Sequence, residues 1–360
     1  MKKAKPAVEG ARRMRWLMRI FFTLVLLAAW SVLGYFYFEH SLGSPKRTAP
    51  VQLEIKKGDS TMDIGHMLKE HNLVRNDWLF TIYSFLTGKA KGLKAGVYEV
   101  PPGMDIDGIL AMITQGRQNT YRLTIPEGYT VEQIAETVAK QGKISKSDFI
   151  RAVDTVDYDY DFLEKIPKEK DRRHRLEGYL FPATYNVPKN ADAKYIVNMM
   201  LGQFEQRLKE QGGLAQLKKK NISLDDWVIV ASLVEREGQA KGEFPKIAGV
   251  IYNRLNKGMK LQVDASIQYA LGEPKGRLLY KDLKRQSPYN TYLHKGLPPS
   301  SISNPGETAL KAALNPDRHH YLYYVTKKDG SGEHYFAESY DEHRANIEKS
   351  KKTRAQNSGG

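Results

Sequence analysis

The chain has 360 residues, 41% hydrophobic and 27% charged, values ordinary for a globular protein with room for two or three domains. It contains no cysteine, which excludes a lipoprotein anchor, a disulfide framework and thiol catalysis. The formal net charge of +15 is uneven: residues 1–50 carry nine Lys or Arg against Glu9 and Glu39, leaving only +8 elsewhere. A basic arm beside a membrane explains that asymmetry better than nucleic acid does.

Residues 1–19 form the arm, and no residue from Ile20 to Phe38 is charged. At about 1.5 Å per residue this run nearly crosses a hydrocarbon core of about 30 Å, so 20–38 reads as a transmembrane helix. Lys2, Lys3, Lys5, Arg12, Arg13, Arg15 and Arg19 precede it, which places the N-terminus in the cytoplasm. A cleaved signal peptide would have a shorter apolar core and a small-x-small exit. Here the run ends in Tyr35, Phe36, Tyr37 and Phe38, so the reading is an uncleaved, single-pass anchor in the inner (plasma) membrane with the bulk of the chain extracytoplasmic. Residues 39–50 are polar and Pro-broken, a linker.

An internal repeat follows. Leu53, Ile55, Gly58, Ile64 and Leu68 recur seventy residues on as Leu123, Ile125, Gly128, Ile134 and Val138, with a shorter copy at Gly103, Ile109 and Ile113. Each unit predicts a strand, a Gly turn, a capping residue and a helix, together an α+β region over 51–155. Its opening, Ile55-Lys56-Lys57-Gly58-Asp59-Ser60, resembles a LysM glycan-binding module, although these positions serve packing as readily as ligand. Residues 156–175 are charged and Tyr-rich and read as a solvated connector. Helical length or periodicity marks 192–211, 224–237, 244–256 and 264–271. Tyr321–Val325 and His334–Phe336 read as a hairpin, followed by a charged helix and the tail 346–360.

The most informative stretch runs from Ser223 to Gly238. Ser223 is a natural cap and Gly238 a natural stop. Between them Trp227, Val228, Ile229, Val230, Ala231, Leu233 and Val234 leave only the Ser232–Arg236 edge polar, the pattern of a buried helix. Glu237 projects inside the apolar arc, in the last turn, where the helix dipole is negative. Desolvation and dipole both disfavour its anion, so its pKa should rise, as a glycosidic general acid requires. Glu235 also points into an apolar sector and is the second candidate. A purely structural alternative has both carboxylates capping a neighbouring helix or pairing with Arg254.

Several segments now form a set. Arg175-Leu176-Glu177-Gly178-Tyr179-Leu180-Phe181-Pro182-Ala183-Thr184-Tyr185, Ala231–Glu237, Val250–Leu255, Gly258–Asp264, Tyr289–Tyr292 and Gly296–Gly306 resemble, in order, the endolytic murein transglycosylases of the YceG-like family. Gly238 departs from the Thr or Ala that often follows the glutamate there. The resemblance implies an overall α+β fold: a transmembrane helix, a LysM-like α+β region and a mostly helical, lysozyme-like catalytic domain over 156–345. It implies non-hydrolytic cleavage of the MurNAc–GlcNAc linkage of nascent peptidoglycan. One glutamate, Glu237 before Glu235, protonates the linking oxygen, then helps the muramic 6-hydroxyl close onto C1 as a 1,6-anhydro end. No metal or cofactor is required, and none of the histidines shows metal-ligand spacing.

Asn253, Gln262 and Asn290 offer amides for N-acetyl groups, and Tyr185, Tyr289 and Tyr292 offer flat faces for sugar rings. Asp264 reads as the cap of the helix beginning at Ala265. Expected partners are peptidoglycan glycan strands, the membrane and wall-synthesis proteins, not nucleic acid. A hydrolytic muramidase and a non-enzymatic glycan-binding scaffold are the competing readings.

Overall fold

A computed structural model describes residues 16, 18, 20–27, 30–33 and 51–357, apart from 103, 117–119, 142–143, 169, 190, 273–274 and 277. Residues 20–27 and 30–33 are helical and expose Phe21, Phe22, Leu26, Trp30 and Leu33. Among the described residues no helix is long and apolar enough to cross a membrane. The expected span 20–38 lies partly outside them, as do the basic arm up to Arg15, Arg19, the linker and Gly103. The chain divides into two compact units at Tyr121/Arg122, earlier than the boundary near residue 155 that the repeat suggests.

In the first unit, β1 (Val51–Ile55) pairs antiparallel with β2 (Gly96–Val100), setting Leu53 opposite Tyr98. Helices α1 (Thr61–Glu70) and α2 (Asp77–Leu86) lie between the strands in sequence, and α3 (Ile106–Gln115) follows. A capping box of Ser60 and Asp63 starts α1, and the Asn76 and Asp105 side chains start the other two. Leu53, Ile64, Leu68, Phe80, Tyr98 and Ile113 close the core.

The second copy of the repeat opens the other unit with β3 (Thr120–Thr124) and α4 (Val131–Lys140). Both copies carry a left-handed glycine (Gly58, φ 104°; Gly128, φ 76°) and then a capping box, in this copy Thr130 with Gln133. The periodicity is therefore real as local structure. What assigns the second copy to the larger unit is its hydrogen bonding: Ile125 N donates to Ala183 O at 2.9 Å and Gly128 N to Asn304 O at 2.9 Å.

Helices dominate the rest of this unit: α5 (Lys146–Thr155), α6 (Ala193–Glu210), α7 (Gly213–Lys219), α8 (Leu224–Glu237), α9 (Phe244–Asn256), α10 (Asp264–Leu271), α11 (Glu307–Leu314) and α12 (Tyr340–Asn357). Strand β4 (Thr184–Pro188) pairs with β3, and β5 (Tyr323–Thr326) forms an antiparallel hairpin with β6 (His334–Ala337). Mixed α+β architecture is thus as expected. Residues 156–175 are not a solvated connector: Phe162, Ile166 and His174 are buried, and Arg172 pairs with Asp225 of α8 at 2.8 Å. Periodic apolar anchors and one buried ion pair hold a segment whose composition alone suggests water.

Gly178 shows how tightly the segment after it fits. Its φ is 94°, and an added Cβ would sit 2.3 Å from Ser301 Oγ and 2.8 Å from Val228 Cγ1. Both the backbone conformation and the space demand glycine. Gly178→Ala should cost about 2 kcal/mol or more, measured by thermal or urea unfolding. A change below about 0.5 kcal/mol would mean that this packing is misread.

Candidate active site

Helix α8 builds the site because almost nothing along it faces water. The Ser223 side chain accepts from Asp226 N at 3.0 Å to start it, and every residue from Trp227 to Val234 is buried. Trp227 Nε1 donates to Leu310 O at 2.9 Å, fixing α8 against α11, while α9 and α10 pack on its other sides. Ser232 does not open a polar edge: its hydroxyl donates to Ile229 O and accepts from Ile302 N. The helix therefore arrives rigidly at its last turn, Glu235-Arg236-Glu237. Gly238 ends it with φ −87° and ψ 133°, an extended residue and not a left-handed stop. Here the missing Cβ matters, since one would lie 2.5 Å from the Phe244 ring.

The two glutamates part company at this turn. Glu235 accepts from Gly306 N at 2.9 Å and so caps α11, the structural role weighed for both residues. Burial holds its carboxyl above the usual value, and the Gly306 N–H opposes that shift. Glu237 faces a different cavity, of about 390 Å³, and accepts from the Tyr324 hydroxyl at 2.9 Å. Burial pushes Glu237 up to about 7; the Tyr324 hydroxyl opposes this, and the nearby Asp264 carboxylate adds to it. A carboxyl group that holds its proton to neutrality while facing an open cavity is equipped for general acid work.

The walls of this cavity are themselves fixed. Arg254 does not pair with Glu237. Its Nε donates to Leu322 O at 2.6 Å and its Nη1 to Leu261 O at 2.6 Å, tying β5 to the segment before α10. Gln262 lines the cavity with φ 52°, a strained conformation for a side-chain-bearing residue, and its N–H donates to Thr291 O at 3.1 Å. Tyr292 also lines it, donating its hydroxyl to Asp264 Oδ1. Asp264 is not a cap, because the N-cap of α10 is Val263 with no side-chain bond. His343, from α12, stacks on Tyr323 at 5.1 Å, and burial lowers its pKa.

Of the six residues expected to contact sugar, the fold brings Gln262 and Tyr292 to Glu237. The other four spend their polar groups on the fold. Asn253 Nδ2 donates to His319 O at 2.8 Å and Tyr321 O at 3.0 Å. Asn290 is fully buried, donating to Leu283 O and Arg285 O. Tyr289 is buried against Ser300 Oγ at 2.7 Å, and Tyr185 donates to Phe181 O. An amide or a phenol in sequence carries no sign of whether backbone or ligand will use it.

Two groups were not singled out from sequence. Tyr324 sat inside an expected hairpin strand, and only the fold turns it onto Glu237. Glu177 is fully buried, accepting from Val131 N, the Tyr269 hydroxyl and Asn304 Nδ2 at 3.0 Å each. Burial raises it to about 7, opposed by His174 and by the Tyr269 and Val131 donors. Its available signal was a lone carboxylate amid Leu176, Tyr179, Leu180 and Phe181. Asn304 completes the same web, accepting from Gly178 N and Leu180 N.

The YceG-like family matches residues 53–349, and the chain belongs to that family. An endolytic murein transglycosylase of Bacillus subtilis is 36% identical over 88% of this chain and 90% of its own length. One of Streptococcus pneumoniae is 32% identical over 90% of this chain, which spans 63% of that longer relative. A yceG-like protein of Listeria monocytogenes, known from a crystal structure, superposes with a TM-score of 0.56 at 34% identity, covering 83% of this chain and 99% of that one.

The Glu237 shift has a sign that folding can report. The native state holds the proton more tightly than the unfolded chain, so stability is lost as pH rises from 4.5 to about 7. Glu237→Gln removes that loss. It should match the native chain near pH 4 and exceed it at pH 8 by on the order of 2 kcal/mol in urea unfolding. Equal pH slopes for the two proteins would show that Glu237 ionises as freely as in water.

Proposed function

We propose that this chain is a murein transglycosylase in which Glu237 is the acid and then the base. The carrying observation is that Glu237 combines a raised pKa with an open cavity, whereas Glu235 is held against a helix N-terminus. Protonated Glu237 gives its proton to the oxygen between MurNAc and GlcNAc. The resulting carboxylate takes the proton of the muramic 6-hydroxyl as that oxygen bonds to C1, leaving a 1,6-anhydro end. Tyr324 orients the carboxyl, and Gln262 and Tyr292 contact the sugars. The names of the Bacillus and Streptococcus relatives support this reading.

The same reading takes residues 20–38 as a membrane anchor, with the enzyme outside the cytoplasm near wall-synthesis proteins. It takes the first unit as a LysM-like glycan holder or spacer and the second as a lysozyme-like catalytic domain. A hydrolytic muramidase is the second reading, favoured by one observation: Asp264 puts another carboxylate in the Glu237 cavity. Two carboxylates suit hydrolysis when both are free to act, but Asp264 is already held by Tyr292.

Digestion of purified glycan strands, with mass analysis of the new ends, separates these readings. Anhydro ends are expected, and reducing ends would favour the muramidase. Glu237→Gln should lower the cleavage rate by about a thousandfold, and Glu235→Gln by less than about tenfold. The reverse order would move the acid to Glu235. With Glu237 as the free enzyme's acid, kcat/KM should fall as pH rises through about 7. A rate flat from pH 5 to 9 would contradict it.

A further inference from the structure

The end of α5 and the segment that follows it line a second cavity, of about 550 Å³, whose wall is strongly basic: Lys168, Lys170, Arg172, Arg173 and Arg175 line it. Arg172 is the telling residue. Its side chain is only 4% exposed, and its Nη1 is used by Asp225 at 2.8 Å and Pro299 O at 3.2 Å. Its Nε and Nη2 are buried with no hydrogen-bond partner among the described residues, and so is Arg175 Nε. Buried guanidinium donors without acceptors are rare, because the desolvation they suffer is otherwise unrepaid. Among the described residues the acid in the wall is Asp154, which is occupied by His174 Nδ1 at 3.0 Å and Arg175 N at 2.9 Å. Lys168 and Lys170 are exposed and form no ion pair among the described residues.

This cavity is linked to the Glu237 cavity by shared walls. Arg173 lines both it and a smaller cavity of about 210 Å³, and Arg236 lines both that one and the cavity holding Glu237. Arg173 is fixed as a divider, lying 4.5 Å over the Tyr269 ring and donating to Tyr269 O. From these observations we infer that the basic cavity is an oxyanion site for the substrate, holding an anionic group of the same strand that Glu237 cuts. The inference rests on the murein reading above. An oxyanion suits the site because planar guanidinium donors and lysine ammonium groups match its acceptors. In a murein strand such a group is either a stem-peptide carboxylate or the diphosphate of a lipid-linked end.

Arg172 cannot carry the test alone, since its removal strands Asp225 and threatens the fold. The double variant Lys168→Ala/Lys170→Ala changes only exposed side chains. Full-length native and variant proteins in detergent are compared on three substrates: bare strands, strands bearing stem peptides, and bare strands ending in the lipid diphosphate. The variant should raise KM about fivefold on one or both anionic substrates, with kcat and the bare-strand KM unchanged. A rise confined to the peptide substrate identifies a carboxylate, and one confined to the lipid-ended substrate identifies a diphosphate. An unchanged KM on both, or an equal rise on bare strands, overturns the site. If the native protein cuts none of the three, the murein reading itself fails and takes this inference with it.

Discussion

The structure depends on a carboxylic acid carried into the protein on a helix whose residues from Trp227 to Val234 are all buried. A glutamate in water is an anion at neutral pH and useless as an acid. Placing Glu237 at the end of α8, among Tyr324, Asp264 and the first turn of α10, removes the water that would stabilise its charge. The energetic consequence is unfavourable for folding and favourable for proton transfer, which is the usual bargain at catalytic sites. Everything nearby helps to hold that acid in place.

The support comes from polar groups buried with partners. Arg254 grips three backbone carbonyls on the two walls flanking the cavity. Asn304 and Glu177 knit the loop before α11 to the turn after β3 and the Gly178 segment. Ser232 ties that same loop to the middle of α8. Such networks rigidify when every member is satisfied. Not every buried donor is satisfied: among the described residues Arg172 Nε and Nη2, Arg175 Nε and Arg207 Nε have no acceptor.

How much of this is legible in sequence varies with the kind of signal. Helices α6, α8, α9 and α10 are readable to within a residue or so, because apolar spacing and caps such as Ser223 are local properties. The repeat is legible as local structure, yet its copies fall in different units, since distant hydrogen bonds decide which core a strand joins. Glu237 stands out because burial of α8 can be inferred from its own residues. Tyr324, Glu177 and the commitment of Asn253, Asn290, Tyr185 and Tyr289 to the fold cannot, for their partners lie tens of residues away. Asp264 shows the same limit at short range: it has the right residue type for a helix cap and accepts from Tyr292 instead.

The most direct measurement is a pH titration of the Glu237 side-chain carboxyl by carbon-13 NMR, its signal assigned by its loss in Glu237→Gln. A midpoint of about 7 is predicted, falling outside the ordinary range for a solvated glutamate. A midpoint near 4.5 would mean that the helix end is wet and the acid ordinary, contradicting the account at its base.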